Sequence, residues 1–362
     1  MPEIWLNYGQ NEVALDIQAE NLDERMSADS QILQDLKLDE KLQGIDLSKP
    51  IEIALLNYTD SVQQVLGKIF EKCKEKSFSK PKILAEKRMM PIIKSNNSED
   101  VTINEFNNDE ISDSNLTFLA EMEFDGLFGF ETIATRLLKR FGKSQMLDAF
   151  NKRTGDTPNS GKEIQNIEIA KKFVDNFEIS SIETVANSKG ISDISVGHPK
   201  DSISLTKSFA ISCVKTVERQ RTMIVSTGKN ASNQTLYTSL NSVWNCHEGV
   251  KNQGLVILLG ECLNGIGSES FQQFIDDRLT IERIKNATKY VNGMENLLYL
   301  SEIQKSFQIG LVSILPEVYV KKLGMIPIGG VKKSMDYILK NQSQRQKVQV
   351  IEDGARILLR QK

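Results

Sequence analysis

GLVILLGECLNGIGSES, residues 254–270, passes from an apolar burst through a glycine-punctuated turn into a polar segment that opens a helix. A strand, a glycine-rich loop and a helix N-terminus in that order make up mononucleotide and dinucleotide sites, so the spelling of the turn decides what it can hold. Gly260 and Gly265 have the P-loop spacing, but Ile266 and Gly267 stand where the phosphate-binding Lys and the Mg-binding Ser or Thr belong. Gly265 and Gly267 start a dinucleotide pattern, yet Ser270 replaces its third glycine. The stretch reads as a strand-loop-helix without a nucleotide fingerprint. Its turn is expected to let backbone pass closely at a domain interface, with Glu261 and Cys262 at the strand's carboxyl edge facing a cleft.

Outward from this stretch, strand and helix patterns alternate. IWLNY and EVALDI around a GQN turn form a hairpin. IEIALLN (51–57), the helical stripe of DSVQQVLGKIFEKCKEK (60–76) and PKILAE (81–86) form a βαβ unit. VTINEF and NLTFLAE are short strands, Phe130 to Lys152 is helical, and TGDTPNSGK (154–162) breaks the pattern with turn-forming residues. IEIAKKFVDNF resumes a helix, FEISSIETVA and ISDISVG are strands, and residues 198–218 read as one long bridging helix. A second strand-helix series begins at TMIVST (222–227), and KVQVIEDGARILL supplies closing strands. The expected class is α/β, with two domains of mainly parallel sheets flanked by helices and a cleft between them. The boundaries are 1–218 and 219–343, with the tail, 344–362, returning to the first domain.

The chain has 362 residues, 40% of them hydrophobic, enough for about two cores. Its formal net charge is −3 and its pI about 5.7, so it carries no global basic field for nucleic acid or anionic lipid. Cys73, Cys213, Cys246 and Cys262 are scattered without a CxxC pair, which predicts reduced buried thiols. No apolar run approaches a membrane span of about 18 residues, and the expected location is cytoplasmic.

The run IVSTGKNASNQTLYTSLNSVWNCHEGVKNQGLVILLGECLNGIGSESFQQFI resembles the C-terminal domain of the nickel-pincer lactate racemase family. Shared features are a strand, a Gly-rich loop, an LY-containing helix and a strand ending in an acidic, Cys and Gly turn. LNYTDSVQQ, FDGLFGFETIATRLL and ISDISVGHPKDS extend the resemblance weakly upstream. The resemblance implies a racemase or isomerase in which a nickel ion on a lysine-tethered pyridinium nucleotide takes a hydride from lactate and returns it to either face. Two histidines would act as acid and base, a third would ligate nickel, and an Arg, a Gln and a Lys would bind the carboxylate.

At these positions the sequence departs from the family. An Asp-His-Thr-Arg turn is replaced by Asn57, Tyr58, Thr59 and Asp60. Asp125 stands near an expected catalytic His, Met89 near the other, and Thr135 near the tethering Lys. Asn151 falls at the nickel His, and Thr238 and Asn241 at the Gln and Lys of the LY helix. The expected cofactor is therefore none, and no metal site is expected. His198 fits a turn or cap, and His247, adjacent to Cys246 on a helix, makes a poor bidentate ligand.

Cleft candidates for acid-base work are Asp60, Asp125, Thr135 and Tyr58. Ligand-binding candidates are Arg136, Arg153, Lys229, Tyr237, Thr238, Asn241 and Glu261, with Ser226, Thr227 and Ser232 as hydroxyl donors in the STGKN loop. The cluster Arg136, Lys139, Arg140 and Lys143 suits an anion clamp or, equally, a solvated helix face. Three functional readings stay open: a degenerate family member that binds a small anionic metabolite or a partner protein, a divergent isomerase acting on a 2-hydroxy acid with or without the nickel cofactor, and a true nickel-dependent racemase.

Overall fold

A computed structural model gives the fold, described here for residues 3–97, 101–107, 111, 116–230 and 233–362. The chain opens with the expected hairpin, β1 (Glu3–Tyr8) and β2 (Asn11–Asp16), antiparallel with Trp5 opposite Ala14. Then come β3 (Leu22–Met26), α1 (Asp35–Lys41), β4 (Glu52–Leu55) and α2 (Asp60–Glu75). Thr59 caps α2 by accepting from the Val62 N–H at 3.3 Å, and Val62, Val65, Leu66, Ile69 and Phe70 form its buried stripe. The first unit continues through β5 (Lys82–Ala85), α3 (Met90–Asn96), β6 (Ile103–Glu105), β7 (Leu116–Glu121), and the small antiparallel pair β8 (Glu123–Asp125) and β9 (Gly129–Glu131). α4 (Ile133–Phe141), α5 (Lys143–Asn151), α6 (Asn166–Val174), β10 (Ser180–Asn187), β11 (Gly190–Gly197) and α7 (Leu205–Cys213) complete it. Its six-stranded sheet has the order β11-β10-β7-β4-β5-β6, parallel except for the β10–β11 edge.

The second unit holds β12 (Val214–Val217), β13 (Gln220–Ser226), α8 (Leu236–Cys246), β14 (Val250–Leu259), α9 (Glu269–Ile275), α10 (Ile281–Lys285) and α11 (Met294–Ile303). β15 (Gln308–Val312), α12 (Glu317–Lys322), β16 (Ile326–Pro327), α13 (Lys332–Asn341), β17 (Val348–Ile351) and β18 (Leu358–Gln361) follow. Its sheet, β16-β15-β14-β13-β17-β3, is parallel throughout. Ile224, Leu255, Ile257 and Leu259 are buried on one face of this sheet and Met223, Val225, Val256 and Leu258 on the other, which explains why the strands read as unbroken apolar runs.

Several expectations are corrected. The tail divides: β17 enters the second sheet between β13 and β3, while β18 pairs with β12 and Arg356 reaches Glu121 of the first unit. The opening hairpin also belongs with the second sheet, because Ile4, Leu6, Leu15 and Ile17 share a core with Ile224, Ile257 and Met335. The bridging helix over 198–218 stops at Cys213, where Val214, Thr216 and Val217 favour an extended ladder with β18. The helix expected from Phe130 begins only at Ile133 and is interrupted at Gly142, whose N–H bonds back to the Leu138 carbonyl before α5 starts with Lys143 at φ 39°.

The two units share a core. Phe124, Phe130 and Phe209 of the first pack in one cluster with Met223, Leu240, Trp244 and Tyr299 of the second. Among the described residues, no helix is long and apolar enough to cross a membrane.

Candidate functional site

A cleft of about 450 Å³ opens where the carboxyl ends of both sheets face each other, the usual place for a ligand in parallel α/β folds. From the first unit come Asn57 after β4, residues 86–89 after β5, Phe106 after β6, Glu123 and Glu131 on the β8–β9 pair, and Arg136, Lys139 and Arg140 on α4. The second unit contributes Tyr237, Thr238 and Asn241 on α8, with Asn233, Asn264 and Asn292 from loops.

The floor is a closed ionic network. Arg136 binds Glu123 and lies 3.4 Å from Glu131; Lys139 lies 2.5 Å from Asp125 and 2.9 Å from Glu131. The side chains of Arg136 and Lys139 are only 14% and 10% exposed, so they are neither a solvated helix face nor a free anion clamp. Burial pushes Glu131 up, but the charges of Arg136 and Lys139 outweigh it and hold the carboxyl at about 2. Glu123 moves the other way, above the usual carboxylate range, because its burial and the nearby Glu131 charge outweigh Arg136. Burial alone would lower Arg136 and Lys139, yet their carboxylate partners keep both firmly protonated.

Several candidate residues lie elsewhere. Asp60 is exposed in the first turn of α2 and does not line the cleft. Asp125 is buried behind it, its Oδ1 accepting from the Leu127 and Phe128 N–H groups at 2.8 and 2.6 Å. Thr135 is fully buried in a capping box: its hydroxyl accepts from the Thr132 N–H at 2.8 Å while its own N–H donates to Thr132 Oγ1. Tyr58 is buried and outside the lining, its hydroxyl pushed up by desolvation. Arg153 pairs with Asp156 at 3.1 Å and lies over Phe150, Lys229 is exposed outside the cleft, and Glu261 folds against Gly9 of the hairpin. Ser226 donates to the Asn7 carbonyl, Thr227 is buried, and Ser232 lies outside the described residues. Of the candidates, Arg136, Lys139, Arg140, Tyr237, Thr238 and Asn241 line the cleft, together with Asn57 and Met89.

The turn after β4 has a structural use. Asn57 clamps the backbone of Glu121, donating to its carbonyl and accepting from its N–H, both at 2.9 Å. Ser61 donates to Glu121 Oε2 at 2.7 Å. The glycine loop is likewise occupied by protein: Gly265 and Ile266 carbonyls accept from the Leu236 and Tyr237 N–H groups at 3.0 Å, and Thr235 caps Thr238. The first-turn donors of α8 are thus satisfied internally, and no anion seat is left at that helix start.

Both histidines are engaged by backbone. His198 Nε2 is 3.0 Å from the Phe177 carbonyl and His247 Nδ1 is 2.6 Å from that of Trp244. Burial pushes His247 below its ordinary range. Asn151 is exposed at the end of α5 and outside the cleft. Among the described residues, no three His, Cys, Asp or Glu side chains are grouped to hold a metal.

Reasoning from sequence missed Glu121, Glu123, Glu131 and the internal role of Lys139. A signal was present in AEMEFD, where carboxylates recur at every second position from the carboxyl end of an apolar parallel strand, the edge where ligands bind in such folds.

Residues 217–359 match the family model described as the lactate racemase C-terminal domain. No curated protein matches the chain. Among solved structures, the lactate racemase apoprotein from Thermoanaerobacterium thermosaccharolyticum superposes with a TM-score of 0.68 at 15% identity, covering 99% of this chain and 100% of the other. A Thermotoga maritima protein superposes with a TM-score of 0.63 at 11% identity, covering 90% and 97% respectively. Residues 217–359 thus form a domain of the lactate racemase C-terminal type, and the chain as a whole has the fold of the lactate racemase apoprotein.

Proposed function

We propose that this protein binds a small polar ligand in the interdomain cleft and does not carry out nickel-dependent racemisation of lactate. The observation that carries the reading is the floor network: both of its cations are already bound by carboxylates, so a carboxylate that reaches the floor meets Glu123 and Glu131 with no floor cation to spare. The lysine-tethered nickel nucleotide does not fit these residues. Thr135, at the tether position, spends its hydroxyl on the helix cap, and Lys139, one turn on, is held by Asp125 and Glu131. Neither histidine faces the cleft lining.

The test supplies L-lactate, nickel and the family's maturation proteins, and follows D-lactate by chiral chromatography alongside intact mass and metal content. No D-lactate above an enzyme-free blank is expected, with no added mass on a lysine. Steady conversion, or stoichiometric nickel with a covalent nucleotide adduct, would overturn the reading. A divergent isomerase is the second reading, favoured by one observation: Glu123 and Glu131 have their proton affinities pushed apart in one site, as an acid and its conjugate base partner require.

A further inference from the structure

We infer that the cleft is built for a phosphorylated polyol, with hydroxyls seated on the Glu123 and Glu131 floor and the phosphate at the Lys87 and Arg88 rim. The inference rests on the binding reading above and names its ligand class. The charge of the cleft is graded with depth. At the floor, Glu123 and Glu131 are 14% and 12% exposed, and with Asp125 they outnumber Arg136 and Lys139. Carboxylate oxygens already holding one donor each keep lone pairs for a second, so a desolvated floor of this kind accepts hydroxyl protons and rejects anions.

The walls suit the same chemistry. Asn241 has no hydrogen-bond partner among the described residues and presents a carbonyl and an NH₂ side by side, the pairing that neighbouring hydroxyls require. Asn292 accepts from the Tyr237 hydroxyl at 3.2 Å, which leaves its NH₂ to donate. At the rim the sign reverses. Lys87 is exposed and has no ion pair among the described residues, Arg88 lies 2.7 Å from Glu86, and Arg140, 4.0 Å from the same carboxylate, donates to the Phe106 carbonyl. Arg140 also lies 4.1 Å from the centre of the Phe106 ring, which orients its guanidinium at the mouth. A phosphate carries about −1.5 to −2 charges and three acceptor oxygens, and Arg forks match it. The cavity of about 450 Å³ accepts a molecule of that size.

Isothermal titration with glucose 6-phosphate, glucose, gluconate, inorganic phosphate and L-lactate tests the assignment. Glucose 6-phosphate is expected to bind at least tenfold more tightly than each of the others. The Lys87→Ala/Arg88→Ala double variant, changed only at exposed positions, should weaken it about tenfold, and Asn241→Ala should weaken it about fivefold. Inorganic phosphate binding as tightly would show that the floor is unused. Gluconate binding as tightly would remove the phosphate assignment, and lactate binding as tightly would remove the graded cleft. No binding by any probe, or unchanged affinity in the double variant, also overturns the inference. Failure here leaves the lactate assay blank, whereas failure of the functional reading itself produces D-lactate, so the two are distinguishable.

Discussion

Arg356, in the loop between β17 and β18, donates from Nε and Nη2 to the two carboxylate oxygens of Glu121 at the end of β7, both at 2.8 Å. The pair joins the second unit to the first, and Glu121 is only 1% exposed. Burial pushes Glu121 up, but the charge and hydrogen bonds of Arg356 outweigh it and hold the carboxyl below its usual range. Asn57, Ser61 and Arg356 surround Glu121 so closely that the turn after β4 serves the joint between units.

Removing one side of this pair should cost more than removing both. Arg356→Ala leaves a buried carboxylate unpaired and is expected to lose about 3–5 kcal/mol, whereas Glu121→Leu/Arg356→Met should recover most of it. Since the folded carboxyl is depressed, its stabilisation is present above the unfolded value and disappears as pH falls through the folded one. Urea unfolding at pH 7 measures the effect; a single-variant loss below about 1 kcal/mol would contradict a desolvated joint.

Glu183 should show the opposite pH dependence. It is fully buried, its Oε1 accepting from the Ile133 N–H at 2.8 Å and Ser202 donating to the other oxygen. Burial pushes the carboxyl up to about 7 despite these bonds and the charge of Arg136. The folded state therefore holds this proton more tightly than the unfolded one: its contribution is complete below the unfolded value and is lost as pH rises through about 7. Glu183→Gln should match the parent at pH 4 and exceed it by about 1–3 kcal/mol at pH 8. Equal stability at both pH values would refute the assignment.

The four thiols should be silent in the native protein. Cys73, Cys213, Cys246 and Cys262 are all buried, and burial pushes each thiol up, Cys262 to about 12. A thiol-reactive chromophore is expected to label none of them at pH 7.5 within the time it labels all four in denaturant. Prompt modification of Cys262 in the folded protein would contradict its packing beneath the glycine loop.

The fold was legible because the central parallel strands carry continuous apolar runs, as in 255–259, and long helices such as α2 have one buried stripe. The tail was not, because KVQVIEDGARILL spells a strand pair without saying which sheet has an open edge. Tyr237, Thr238 and Asn241 were found through the family resemblance, which fixed their helix at the cleft. Asp60 and Thr135 were misplaced because a matching position does not transmit side-chain direction once the residue has changed: a Thr that can cap its own helix turns back to the backbone, where a Lys would extend. The floor network was hidden because its partners come from β8, β9 and α4, and opposite charges separated by turns show no period.

The opening loop supports one last prediction, because its two central glycines differ in only one respect. Gly265 and Gly267 both adopt left-handed backbone, φ 76° and 77°. A Cβ at Gly265 would meet nothing within 4 Å, but one at Gly267 would lie 2.3 Å from the Cβ of Thr235, the residue that caps α8. Gly265→Ala should cost only the strain of its backbone, about 1–2 kcal/mol. Gly267→Ala adds a collision between the loop and the cap it covers and should cost about 3 kcal/mol or more. The overlap is with Cβ itself, so Thr235→Ala in the same chain should not rescue it, and the lost cap should add about 1 kcal/mol. Chemical denaturation of the three variants gives the comparison. Equal losses at the two glycines would mean that the loop does not press on the start of α8 and that its glycines serve the turn alone.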